Sequence, residues 1–405
     1  MEKFIKPLIL KGRSKMIENI KILLYREDKH IFDYVDFKDD SIYQEPLLYA
    51  YFCNPERGKV NLNEILYGYM KDTYQSNGIE VYSDVNGRIY VANIGWFLTD
   101  KLNKLILIKK KNKSYELIYK NKKISFDFEP IDLIKGTNIE LLKYSIPILG
   151  HCYFDVENNL IDVEIENISK LQKRSLSKAY NLIKKYAPYQ FKLINFVVRK
   201  NVIFNIDSGL RNSFSTMMAN GIAFFNSYQE DYNEVFFVDD IAHQTGHCIF
   251  YALLEDTSEF IKVEPSITIE IISYGQNETE NRSLYILFHA LYTYYTTLKC
   301  LDACLSEGVF SGAKKHEAIG RLCFYFSKCY KDILLIDNPI SSNTRAKEMF
   351  TDKGFKVYSE IKRTFIDLGD KWRKDIEKGY SLSNQPYNFS YSKFVKLNPL
   401  NENNR

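Results

Sequence analysis

The sequence predicts an α+β protein in which a strand-rich N-terminal region precedes a mainly helical one. Three observations carry that expectation. Between Gly78 and Phe128 the segments IEVYSDV, RIYVANI, KLILIKK, YELIY and ISFDF are β-branched and aromatic, and Asn-Gly and Lys-Asn turns separate them. This is the texture of strands in a meander. After Glu234 the character turns mainly helical and stays so to about Lys378. The chain has 405 residues, enough for two domains with a sizeable core, and its 31 Tyr and 27 Phe exclude intrinsic disorder.

Taken in order, Ser14 to Tyr34 carries Met16, Ile17, Ile20, Leu23 and Leu24 at helical spacing. The meander follows, with nine lysines and one acid, Glu116, between Lys101 and Lys123. Lysines on hairpin edges blunt them against further pairing; the alternative is a docking surface for an acidic peptide. HCYFDV and LIDVEIE read as strands, Ser169 to Tyr186 as a basic amphipathic helix, and FKLINFVVRK, VIFNI and GIAFFNS as strands again. The last stretch, residues 381–405, is Asn/Ser-rich and reads as an extended or disordered tail.

A net charge of +4 gives no reason to expect a nucleic-acid partner. The seven cysteines form no CxxC pair, and an odd count in a large chain reads as reduced thiols, with Cys300 and Cys304 as core packing. MEKFIKPLILKGR lacks the features of a signal peptide, and no apolar run reaches about 18 residues. A soluble, cytoplasmic protein is expected.

The chemistry concentrates on the histidines. His243 and His247 fall four apart in FFVDDIAHQTGHCIFYALL, which reads as a helix beginning near Asp239 or Asp240. At about 100° per residue their rings share one face, roughly one turn apart, and can converge on one ion. Ile241, Ile249 and Phe250 mark the helix as buried, and two buried imidazoles without a ligand or partner are costly. Position 244 is Gln, where a zinc peptidase places the glutamate that accepts a proton from metal-bound water. Peptide hydrolysis is thereby disfavoured while metal binding is untouched, and the pair also suits a redox metal with open positions, such as Fe(II). His289, alone in the apolar segment NRSLYILFHALYTYYTTLKCLDACL, is the candidate third ligand. Arg282 lies seven residues earlier; on a continuous helix it returns to the same face about 10 Å away. There it is a candidate partner for an anion whose other end sits on the metal. Tyr285, Tyr292, Thr293 and Thr296 share this face and read as core. Arg321 is a second candidate anion partner, against the plainer reading of a surface arginine; His316 and His30 read as exposed, and His151 beside Cys152 as structural.

From Ser213 to Ile336 the chain resembles the HExxH-motif peptide-modification proteins, the 2-oxoglutarate-dependent peptide β-hydroxylases found with ribosomally made peptide natural products. The Ser-rich segment with GIAFFNS, AHQTGH and the R-x(6)-H-A-x-Y spacing of Arg282 to His289 carry the resemblance. It implies that His243, His247 and His289 bind Fe(II), that 2-oxoglutarate and O2 complete the site, that Arg282 holds a carboxylate of 2-oxoglutarate, and that a precursor peptide is hydroxylated at a side-chain β-carbon. Gln244 departs from the family's glutamate, which leaves open an inactive or altered relative. On this reading residues 1–140 are an α+β region for peptide docking, and 141–380 a zincin-like, HxxxH metal-binding catalytic domain. The competing expectations are a zincin-like metallohydrolase, or its inactive relative with Zn, and a non-catalytic scaffold in peptide maturation.

Overall fold

The computed structural model describes residues 2–57, 60–155, 157–229, 232–274, 278–338 and 345–400. It is mixed α+β, with strands concentrated in the N-terminal half and helices in the C-terminal half. The chain forms two compact units interleaved in sequence: Ser14–Leu171 with Val198–Tyr228, and Met1–Arg13 with Gln172–Val197 and Gln229–Arg405. Among the described residues no helix is long and apolar enough to cross a membrane.

The strand-rich unit takes in most of α1 (Glu2–Glu27), then α2 (Ile31–Tyr34), α3 (Pro46–Cys53), α4 (Leu62–Leu66) and α5 (Asp72–Asn77). Eight strands follow: β1 (Ile79–Tyr82), β2 (Arg88–Val91), β3 (Gly95–Leu98), β4 (Leu105–Lys111), β5 (Ser114–Tyr119), β6 (Lys122–Ile124), β7 (Asp127–Pro130) and β8 (Glu140–Leu142). They do not form one meander. β1 pairs with β4 to give the antiparallel order β1-β4-β5-β6, while β2, β3 and β7 form a second antiparallel sheet. The tight turns are where the sequence places them. Asn112 joins β4 to β5 at φ 56°, and Lys120-Asn121 joins β5 to β6 at φ 48° and 61°, the left-handed pair that a two-residue hairpin turn needs. β6, with Lys122 and Lys123, is one of the two edge strands of the first sheet. Lys110 and Lys123 pair with Asp72 and Glu116 at 2.7 and 2.6 Å, exposed contacts of small energetic weight.

After α6 (Glu166–Tyr186), where the basic amphipathic pattern predicts a helix, comes α7 (Pro188–Val197). FKLINFV is therefore helical, not a strand: Pro188 opens the helix at its first turn, and Phe191, Ile194 and Val197 bury one face. β9 (Lys200–Phe204) and β10 (Ile222–Asn226), both expected, run parallel with β8 in the order β10-β9-β8. HCYFDV and LIDVEIE are not strands; Pro147–Cys152 is a 3-10 turn, and only the isolated bridges Phe154–Leu160 and Glu164–Asn205 remain.

The helical unit holds α8 (Glu234–Leu253), the hairpin β11 (Thr268–Tyr274) and β12 (Glu278–Ser283), α9 (Leu284–Ser306), α10 (Gly312–Asp337), α11 (Ala346–Met349), α12 (Asp352–Lys371), α13 (Arg373–Ile376) and α14 (Tyr391–Leu397). Its core includes Ile249, Phe250, Phe288, Leu291, Tyr292, Leu298, Leu301, Leu322, Ile333 and Tyr358. Cys300 and Cys304 are fully buried within it, and all seven cysteines are free thiols. The tail expectation needs correction for residues 381–400: α14 forms, and Phe389 and Phe394 are buried. Residues 401–405 lie outside the described residues.

Candidate metal centre

α8 begins earlier than Asp239, because Asn233 caps it, its side chain accepting from the Val235 N–H at 2.8 Å. Asp239 and Asp240 consequently lie inside the helix and are buried. The helix packs against α9 at Gly246. A Cβ there would stand 2.6 Å from Thr296 Oγ1, so only a glycine permits this approach. Thr296 turns the contact into a tie, donating across the helices to the Ala242 carbonyl at 2.9 Å. α9 is capped by Ser283, whose hydroxyl accepts from the Ile286 N–H at 3.3 Å.

This close crossing brings the three histidines together. His247 Nδ1 and His289 Nε2 are 2.8 Å apart, from residues 42 apart in sequence. The ring centroids of His247 and His289 are separated by 4.5 Å and those of His243 and His247 by 5.1 Å. Phe250 stacks on His289 at 4.4 Å and 11°, fixing the plane of the imidazole. Tyr294 and Tyr325 flank His243 at 6.1 and 5.6 Å. As whole residues all three histidines are half-buried.

Their electrostatics favour the neutral, ligating form. Burial pushes His247 down to about 4. His243 and His289 are held well below the ordinary histidine value by burial first and by their histidine neighbours second. His243 Nδ1 is a buried nitrogen with no hydrogen-bond partner among the described residues. The 2.8 Å separation of His247 Nδ1 and His289 Nε2 is that of an imidazole–imidazole hydrogen bond. In keeping with this, no group of three or more His, Cys, Asp or Glu side chains among the described residues is arranged to hold a metal ion as it stands. The donor set nevertheless suits one. Two imidazole nitrogens on a common ion at about 2.0–2.1 Å lie roughly 3 Å apart, close to the 2.8 Å found between His247 and His289.

The candidate anion partners are placed differently from the helical expectation. Arg282 is in β12, not on α9, so the seven-residue helical phase does not apply to it. Its guanidinium forks onto Asp332 of α10, with Nη1–Oδ1 at 2.8 Å and Nη2–Oδ2 at 2.7 Å. Arg321 is no surface arginine: at 2% exposure it donates to Asp239 at 2.7 Å and to Glu317 at 2.8 and 2.9 Å. Both arginines thus already face carboxylates. His316 is buried too, 3.2 Å from the Tyr391 hydroxyl and packed by Tyr380 and Phe394. His30 is exposed, and His151 Nδ1 donates to the Ile148 carbonyl at 2.8 Å, a local structural contact.

Two features were not read from sequence. Lys328, one turn before Asp332 on α10, lies over the rings of Phe324 and Tyr387 and donates to the Tyr387 carbonyl at 2.5 Å. Burial lowers its ammonium to about 8, and its charge is felt at His243. A lone lysine inside the apolar run CFYFSKCY is the signal that marks it. Gln244 donates from Nε2 to Asp240 Oδ1 at 3.1 Å, a buried contact that an ionised glutamate could not make.

The sequence matches no protein-family model, and no curated protein matches it significantly.

Proposed function

We propose that His243, His247 and His289 hold a divalent transition metal, and that the chain is an Fe(II)- and 2-oxoglutarate-dependent hydroxylase acting on a side-chain β-carbon of a ribosomally made precursor peptide. The metal reading rests on one observation: three half-buried, neutral imidazoles from two helices lie side by side, with His247 and His289 in contact at 2.8 Å. The cosubstrate and the peptide rest on the resemblance of Ser213 to Ile336. Bound iron would supply the O2 chemistry, with 2-oxoglutarate as co-reductant. The chain's own contribution is positional. Gly246 and Thr296 set the helix separation, Phe250 orients His289, and Tyr294 with Tyr325 covers His243. A 2-oxoglutarate carboxylate at Arg282 would share or displace Asp332, and Lys328 is a further cation on the His243 side.

The test is anaerobic addition of Fe(II) and 2-oxoglutarate. A visible metal-to-ligand charge-transfer band is expected in the wild type and its loss in His289→Ala. No band in the wild type, or an unchanged band in the variant, refutes the proposal. A second reading, a zincin-like hydrolase relative with Zn, is favoured by the HxxxH geometry and opposed by Gln244. It requires Gln244→Glu, loaded with Zn, to gain peptidase activity.

A further inference from the structure

The strand-rich unit contains a cavity of about 180 Å³ that the proposed chemistry does not use. That is below the ~300–1,000 Å³ of ordinary small-molecule clefts, so it suits a head group on a short stem. Its walls include Leu47, Ile65, Ile146 and Ile148, with Tyr90 and Trp96 as aromatic panels. The polar groups on its lining are mostly committed. Tyr90 donates its hydroxyl to Glu140 at 2.7 Å, Arg88 pairs with Glu166 and lies over the Tyr144 ring, and Asp84 caps the Asn86 and Arg88 N–H groups at 2.8 Å.

Glu64 is the exception. It comes from α4 and lines the cavity, and among the described residues its carboxylate meets no hydrogen-bond or ion-pair partner. A half-buried carboxylate without a counter-charge is disfavoured in its ionised form, and burial raises Glu64 to about 7. The unpartnered carboxylate sets the ligand's sign. Among the described residues two acids, Glu64 and Asp84, and one cation, Arg88, line the cavity, and Arg88 is paired with Glu166, which Lys170 also contacts at 2.8 Å. We propose that this cavity binds a small organic cation, an alkylammonium or alkylguanidinium group, whose charge meets Glu64 and whose stem lies along Leu47, Ile65 and Ile148. The inference is independent of the metal centre.

Such a cation holds Glu64 ionised, so binding releases a proton below about pH 7. Affinity therefore rises with pH through that value and levels off above it. Among the described residues, the other titratable groups facing the site, Asp84, Arg88, Tyr82 and Tyr90, come from β1, β2 and the turn between them. The chemistry has two sources, a free amine or guanidine and a Lys or Arg side chain of a peptide.

The experiment is calorimetric titration of the full chain with n-butylguanidinium, n-butylammonium, and N-acetyl-Lys and N-acetyl-Arg methylamides. Tryptophan emission serves as the locator, because Trp96 lines the cavity and Trp372 does not. Saturable binding by at least one cation is expected, with a parallel emission change and at least tenfold weaker binding in Glu64→Gln. This substitution is an uncharged isostere that removes a buried charge, so folding is preserved. Tightest binding by the free bases assigns a small molecule; equal or tighter binding by the methylamides assigns a peptide side chain. Binding of 1-pentanol as tight as that of the cations, unchanged affinity in Glu64→Gln, or no binding by any of the four overturns the proposal.

Discussion

Replacing Gly246 by alanine tests whether the α8–α9 crossing builds the histidine cluster. The new Cβ would meet Thr296 Oγ1 at 2.6 Å, whereas ordinary contact begins at 3.4 Å, a shortfall of 0.8 Å. Thr296 cannot simply swing away, because its hydroxyl is tied to the carbonyls of Ala242 and Thr293 at 2.9 and 2.8 Å. Overpacking of this kind costs about 1–3 kcal/mol, and a lost hydrogen bond costs about 1 kcal/mol more. Against this, alanine gains about 1 kcal/mol over glycine in a helix interior. The net expectation is a loss of about 1–3 kcal/mol. If the helices part by the full shortfall, the 2.8 Å His247–His289 contact opens beyond the ~3.2 Å limit of a good hydrogen bond. Urea unfolding followed by helical circular dichroism reads the stability, and Co(II) or Fe(II) titration reads the cluster. The double variant Gly246→Ala/Thr296→Ala removes the obstructing oxygen and is expected to recover most of the loss, a coupling of about 1 kcal/mol or more. A higher unfolding midpoint in Gly246→Ala, or no recovery in the double variant, refutes the reasoning.

Arg321→Met leaves Asp239 and Glu317, each 2% exposed, without their shared cation, and is expected to cost about 3–5 kcal/mol in urea unfolding; an unchanged midpoint would contradict the buried triad. The metal-free protein should lose stability on acidification. The folded pKa of His247 lies below the unfolded value of ~6.5, so the unfolded chain takes up the proton first. The loss begins as pH falls through that value and is complete near the folded value of about 4. The shift caps the loss at about 3 kcal/mol, and partial exposure of the ring reduces it. His247→Phe should flatten that part of the pH–stability curve, and an equally steep curve in the variant counts against it. Gln244→Glu puts a second carboxylate beside Asp240, at a contact of 3.1 Å in the wild type. Like charges there raise the pair's pKa, so the variant should be near wild-type stability at low pH and lose stability as pH rises, by thermal unfolding across pH 4–8. A pH-independent difference would show that the two side chains do not interact.

Much of the local structure is legible in the sequence. The HxxxH pair needs only helical periodicity to share a face, and α8 delivers it. The Lys-Asn turns, the strands over Leu105–Lys111 and Ile222–Asn226 and the helix over Glu166–Tyr186 follow from backbone preferences and apolar spacing within a few residues. What the chain does over longer distances was decided by packing. β1 pairs with β4 and not with β2, because neighbouring strands of similar texture carry no local mark of their partner. Arg282 reads as helical by spacing to His289, yet Ser283 caps the helix one residue later and leaves the arginine in a hairpin, where Asp332, fifty residues on, claims it. Arg321 looked amphipathic because its two carboxylate partners are four residues away on its own helix and on α8. The meeting of His289 with His247 stands between these cases. The residue types and helices were in the sequence, but their 2.8 Å approach depends on a glycine and a threonine facing each other across two helices, a relation that exists only once the chain has packed.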